Sequence, residues 1–215
     1  MIGSRNASKE FANWIDTLLY VYADRHRVEW QDRESYIAFN GSFVTFSFDQ
    51  EAIRRRKSAL NASSVRTLSA EFHNVDGFYK KVLRGFLGRK YADKRDSQPL
   101  MIAAADVNGT RVSVRPEVLE NVHIHSIWLL PAGKKDVLLQ EVRRARNDPR
   151  FDFRDIDVRE IEWIHRSAAN EPSKLASYTA KFLGSNSTDM RLTDDLRIYP
   201  VDANGIALID GRPRS

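Results

Sequence analysis

Hydrophobic positions along the chain follow first a helical and then an alternating period, and each change of period marks an element. Phe11, Trp14, Ile15, Leu18, Leu19 and Tyr22 recur at three- and four-residue spacing, which predicts an amphipathic helix over residues 1–24 with Ser8 as its cap. A solvated charged stretch follows from Asp24 to Glu34. Residues 36–48 hold two apolar runs around Asn40-Gly41, a hairpin signal. Its second arm sets Phe43, Thr45 and Ser47 on one face and Val44, Phe46 and Phe48 on the other. Residues 66–91 return to the helical period through Leu68, Phe72, Val75, Tyr79, Val82 and Phe86, with Gly77 and Gly85 weakening the helix. A buried strand is expected over 100–107, with a turn at Asn108-Gly109 and a returning arm at 110–115.

Residues 121–130, rich in β-branched and aromatic side chains, predict the next strand, which Pro131-Ala132-Gly133 stops. A helix is expected over 134–147, with Val137, Leu138 and Val142 inward and Arg143, Arg144 and Arg146 near its C-terminal end. A strand follows over 156–164. Pro172 and Gly184 frame a helix over 171–184 whose inward stripe is Leu175, Thr179 and Phe182. Residues 196–201 and 206–209 read as a last hairpin. This order predicts an α+β fold: an antiparallel-rich central sheet with helices packed on it, built on a ferredoxin-like split βαβ core. The expected division is a helical extension at 1–35 and one domain over 36–215.

Composition narrows the classes. At 215 residues and 42% hydrophobic content a sizeable core is possible, and the absence of cysteine excludes disulfide frameworks and cysteine zinc sites. The net charge of +5 suits a polyanionic partner without requiring one. Arg54, Arg55, Arg56 and Lys57 form a basic run that reads either as solvated surface or as a phosphate-contacting patch. No segment approaches the length of a membrane span and the first residues lack a leader pattern, so a soluble, cytoplasmic protein is expected.

The stretch richest in chemistry is the strand at 121–130. Alternation puts His123 and His125 on one face, opposite Ser126 and Trp128. Such a pair either binds a divalent metal through neutral imidazole nitrogens or is the wet face of a half-buried strand. His73 reads as a surface or core-edge residue and His165 as a polar strand cap. Tyr178 and Lys181, three residues apart, share a helix face.

Three motifs in this order resemble the rolling-circle replication initiators of the HUH endonuclease superfamily, in their single-tyrosine form. Phe43-Val-Thr-Phe-Ser-Phe48 looks like the family's first strand, His123-Ile-His125 like its metal motif, and Tyr178-Thr-Ala-Lys181 like its catalytic Tyr-x-x-Lys helix. The likeness spans roughly residues 36 to 184. It implies nicking and joining of single-stranded DNA or an origin hairpin, with Tyr178 as nucleophile and Lys181 steadying the phenolate or the phosphate. It also implies Mg2+ or Mn2+ on His123, His125 and a third ligand from the preceding strand. Asp106 stands at about that place and reads equally as a turn former before Asn108-Gly109; Glu117 and Glu120 are alternatives. Thr45, Ser47 and the run from Arg54 to Lys57 would contact the strand. No Gly-x-x-x-x-Gly-Lys-Ser/Thr stretch occurs within these residues, so a host helicase is the expected partner in plasmid or phage replication. A transposase or relaxase of the same superfamily would use the same residues, and a non-catalytic nucleic-acid-binding module would use the aromatic strand alone.

Overall fold

The computed structural model describes residues 4–60, 68–107, 121–162, 164–168, 171–180 and 196–201. Among them the chain forms α1 (Ser4–His26), α2 (Arg33–Asn40), β1 (Gly41–Phe48), α3 (Gln50–Leu60), α4 (Ser69–Leu87), β2 (Leu100–Val107), β3 (Val122–Leu129), α5 (Lys135–Ala145), β4 (Phe153–Glu160), α6 (Lys174–Thr179) and β5 (Leu196–Tyr199). The strands make one sheet in the order β4-β1-β3-β2-β5, every neighbouring pair antiparallel. β1 and β2 therefore run parallel with β3 between them, and α3 and α4 connect them. This is the α+β, split βαβ arrangement expected from the order of elements.

Alternation within the strands feeds two cores. Val44, Phe46, Met101, Ala103, Ile124, Trp128 and Ile156 face α3, α4 and α5, where Phe72, Phe78, Val82, Leu138 and Val142 meet them. Trp128 is fully buried, and its indole N–H donates to Ser126 Oγ at 3.0 Å while Ser126 donates to the Val44 carbonyl at 3.1 Å. That chain satisfies both polar groups, as a dry core requires. The opposite face, with Phe43, Leu100, Ile102, Ile127, Leu129 and Ile198, is covered by α1, α2 and α6. α1 buries Ile15, Leu18, Leu19 and Tyr22 there, the stripe its spacing defines. At about 25 cal/mol per Å² of apolar surface, such a stripe is worth several kcal/mol.

Four expectations are corrected. Asn40-Gly41 does not turn a hairpin, because residues 33–40 are α2. Asp32 caps this helix by accepting from the Ser35 amide at 2.9 Å and the Ser35 hydroxyl at 2.6 Å, and Tyr36, Ile37 and Asn40 bury one helical face. Gly41 has an extended backbone and is needed for closeness: a Cβ there would collide with the Ile37 carbonyl and the Ile161 side chain. Ser8 lies inside α1 rather than capping it, and donates to the Ala180 carbonyl at 3.0 Å. β4 starts three residues before the expected position, because Phe153 stacks on Phe46 with ring centroids 5.2 Å apart, and the strand ends at Glu160. α6 starts at Lys174 behind an N-cap at Ser173, so Pro172 precedes the helix. By contrast α4 runs unbroken, Gly85 lying where the Glu141 side chain of α5 comes closest. The return arm at 110–115, Glu117, Glu120, Lys181, Phe182 and the arm at 206–209 lie outside the described residues.

Candidate active site

Across β1, β3 and β2 the side chains of one sheet face stand in rows, and the rows change character along the strands. Gly41, Leu129 and Leu100 form the first row, and Phe43, Ile127 and Ile102 the second. Thr45, His125 and Ala104 form the third, and Ser47, His123 and Asp106 the fourth. The first two rows lie under α1 and α2 and are apolar; the last two are polar and partly open. The register thus gathers on one surface the residues that alternation assigned to one face in each strand.

His125 sits at the centre of the polar rows. Its Nδ1 is 3.1 Å from Thr45 Oγ1 and its Nε2 is 3.0 Å from Asp106 Oδ2. Asp106 is directly opposite His123 but reaches diagonally, and Ala104, opposite His125, ends at Cβ and leaves the room. With Nε2–H donating to the carboxylate, Nδ1 accepts from the Thr45 hydroxyl, so the neutral ring has a partner at each nitrogen. His123 titrates below the usual histidine range, first because burial disfavours its charge and then because a second imidazole, His125, stands beside it, with Asp106 opposing. It therefore presents a neutral imidazole at neutral pH.

Tyr178 reaches this surface from α6. Leu175 and Thr179 turn inward while Tyr178 keeps 39% of its surface exposed. Its ring centroid lies 5.3 Å from His125 and 5.7 Å from Phe43, and Phe43 in turn stacks on His125 at 5.5 Å. The three rings form a compact group in the edge-to-face and stacked arrangements that aromatic quadrupoles favour. α1 holds α6 at both ends. Buried Asp16 accepts from the Ser173 amide at 2.7 Å and the Ser173 hydroxyl at 2.6 Å, and Ser8 donates to the carbonyl of Ala180. Ser173 Oγ also caps the helix by accepting from the Ala176 amide at 3.0 Å.

A metal ion was expected on His123, His125 and Asp106. No group of three or more His, Cys, Asp or Glu side chains among the described residues is arranged to hold one. Two donors do meet, His125 and Asp106, and His123 stands next to them on the same face. A magnesium or manganese ion that keeps most of its water is held by one or two protein ligands, and this donor set fits such an ion with His125 in its other neutral tautomer, Nδ1–H donating to Thr45 Oγ1 and Nε2 turned to the ion beside Asp106. Thr45 is in the group; Ser47 lies in the outer row beside His123.

The basic run lies in the opposite layer, on α3 against α4. Arg56 pairs with Asp152, and Lys57 is buried on Glu71 at 2.7 Å, so their charges have intramolecular partners. Arg54 and Arg55 are exposed. Two contributors escaped the sequence reading. Phe43 lies on the strand face already assigned, but its role as a platform for two rings depends on packing. Asp16 had a visible signal, a carboxylate inside the apolar stripe of Ala12, Ile15 and Leu19.

No helix among the described residues is long and apolar enough to cross a membrane. Comparison of the chain with family models, with curated proteins and with solved structures gives no match.

Proposed function

We propose that this protein is a tyrosine endonuclease and strand transferase of the HUH type, nicking and joining single-stranded DNA to initiate rolling-circle replication. The observation that carries the reading is the ring contact between Tyr178 and His125, with Asp106 hydrogen-bonded to the same imidazole. A tyrosine, a histidine and a carboxylate from three separated elements thus share one open surface. These are the residue types that phosphoryl transfer to a phenol needs.

In this reaction the Tyr178 oxygen attacks the scissile phosphorus, an O–P bond to tyrosine forms and the bond to the 3′ oxygen breaks. The phenol loses a proton and the departing 3′ oxygen gains one, so the cut leaves a 3′ hydroxyl and a 5′-phosphotyrosine. The ester keeps the energy of the broken bond, and attack by a 3′ hydroxyl rejoins the strand. Bound at His125 and Asp106, with His123 beside them, Mg2+ or Mn2+ would neutralise charge on the phosphate oxygens. Phe43 and His125, in contact with each other, both touch the tyrosine ring, and Thr45 fixes the histidine. Lys181, three residues after Tyr178, would add a positive charge near the phosphate.

The test is incubation with a panel of single-stranded oligonucleotides and manganese, followed by a denaturing gel. A covalent adduct is expected, absent in Tyr178→Phe and after chelation, with oligonucleotide affinity changed by less than about twofold because only a hydroxyl is lost. Retained binding with no adduct on any oligonucleotide would instead identify a non-catalytic binding module. Adducts on transposon-end or transfer-origin sequences, and none on replication origins, would point to the transposase or relaxase.

A further inference from the structure

On the β4 side of Phe43 lies a cavity of about 260 Å³ between the start of β1, the end of β4 and α6. Phe43, Ile161 and Leu175, all buried, form its walls, and Arg159, Glu160 and Glu162 stand at its mouth. Phe43 is thus shared by this cavity and by the ring group around Tyr178, and Leu175 is one helical turn before Tyr178. β4 has no second neighbour among the described residues, so the cavity opens on a sheet edge.

We propose that this cavity takes one unstacked nucleobase of the bound strand, and that it selects bases carrying an exocyclic amino group. The proposal takes from the nuclease reading the identity of the ligand as single-stranded DNA. The size suits one heterocycle, and two aliphatic walls with one aromatic wall suit its faces. At the mouth the charges are unequal in what they leave available. Arg159 bonds Asp157 at 2.7 Å and Glu160 bonds Lys135 at 3.3 Å, while Glu162 has no hydrogen bond or ion pair among the described residues. A carboxylate is an acceptor only, so it pairs with the amino groups of cytosine, adenine or guanine, whereas thymine offers it one N3–H flanked by two carbonyl oxygens that repel it. The nucleotide adjoining a phosphate at Tyr178 has only to pass Phe43 to reach it.

The experiment is a titration of the full chain, carrying isotope-labelled isoleucine and leucine methyls, with dCMP, dAMP, dGMP and dTMP, followed by NMR. Amino-bearing nucleotides should move the Ile161 and Leu175 methyl signals at concentrations about three- to tenfold lower than dTMP does, the discrimination given by one hydrogen bond. Glu162→Gln, a change at an exposed position, should collapse that difference. Methyl signals that stay still with all four nucleotides, or that move equally with all four, would overturn the proposal. The adduct assay is scored separately: adducts without methyl shifts remove the base pocket and leave the nuclease, and shifts without adducts do the reverse.

Discussion

Thr45 and Asp106 reach His125 from opposite strands, and the tautomer of the ring depends on both. Thr45→Val keeps the shape of the side chain and removes the hydroxyl that Nδ1 uses. It should cost about 1 kcal/mol in urea unfolding. It should also loosen the preference for the Nε2-protonated tautomer, which imidazole nitrogen NMR reads directly. An unchanged tautomer ratio would mean that Asp106 alone sets the ring. At this scale the sequence was informative about faces and silent about partners. Alternation alone put His123 with His125, and Phe43 with Thr45 and Ser47. The diagonal reach of Asp106 to His125 follows from the β2–β3 register and the small Ala104, and no local pattern encodes either.

Between elements, the decisive contact is the hold of α1 on α6. Asp16→Ala removes the acceptor of two hydrogen bonds and leaves the Ser173 amide and the Arg166 guanidinium without it. A loss of about 2–3 kcal/mol is expected, since hydrogen bonds to a buried charge are the stronger kind. Hydrogen exchange should accelerate in α6 ahead of the sheet amides, and adduct formation should fall more than oligonucleotide affinity. Uniform acceleration across the sheet would mean that Asp16 supports the whole fold and not the tyrosine helix. The helices and strands were mostly legible from period; the junctions between them were not. Asn40-Gly41 has the composition of a hairpin turn, yet a capping aspartate eight residues earlier and a buried face at Tyr36 and Ile37 make it the end of a helix. Glycine served there for contact instead of curvature, and one dipeptide cannot distinguish the two.

For the whole molecule the helical layer over α3, α4 and α5 is stitched by carboxylates, which makes its stability depend on acid. Hydrogen bonds from Arg150 and Lys81 hold Asp148 well below the usual carboxylate range. Burial works to raise Asp152, but hydrogen bonds from Arg56 and Asn74 together outweigh it and lower its pKa. Both groups are more acidic folded than unfolded. Their stabilisation is therefore complete above the unfolded value of about 4 and drains away as pH falls toward the folded values. Glu71 acts oppositely: burial outweighs Lys57 and raises its pKa, so its protonation favours the fold and the effect is lost as pH rises through that folded value. The urea midpoint should fall between pH 5 and pH 3, and Asp148→Asn should lower stability at pH 7 while flattening that fall. Binding of single strands should weaken as salt rises, with a slope set by the phosphates contacted. The pairing of Asp16 with Ser173, 157 residues apart, also has a meaning in time. During synthesis α1 emerges before the sheet, so Ile15, Leu18, Leu19 and Tyr22 stay uncovered until the strands exist to receive them. Ser173 leaves the ribosome long afterwards, so the seat of Tyr178 closes only after α1, the four strands before it and α5 have all been made.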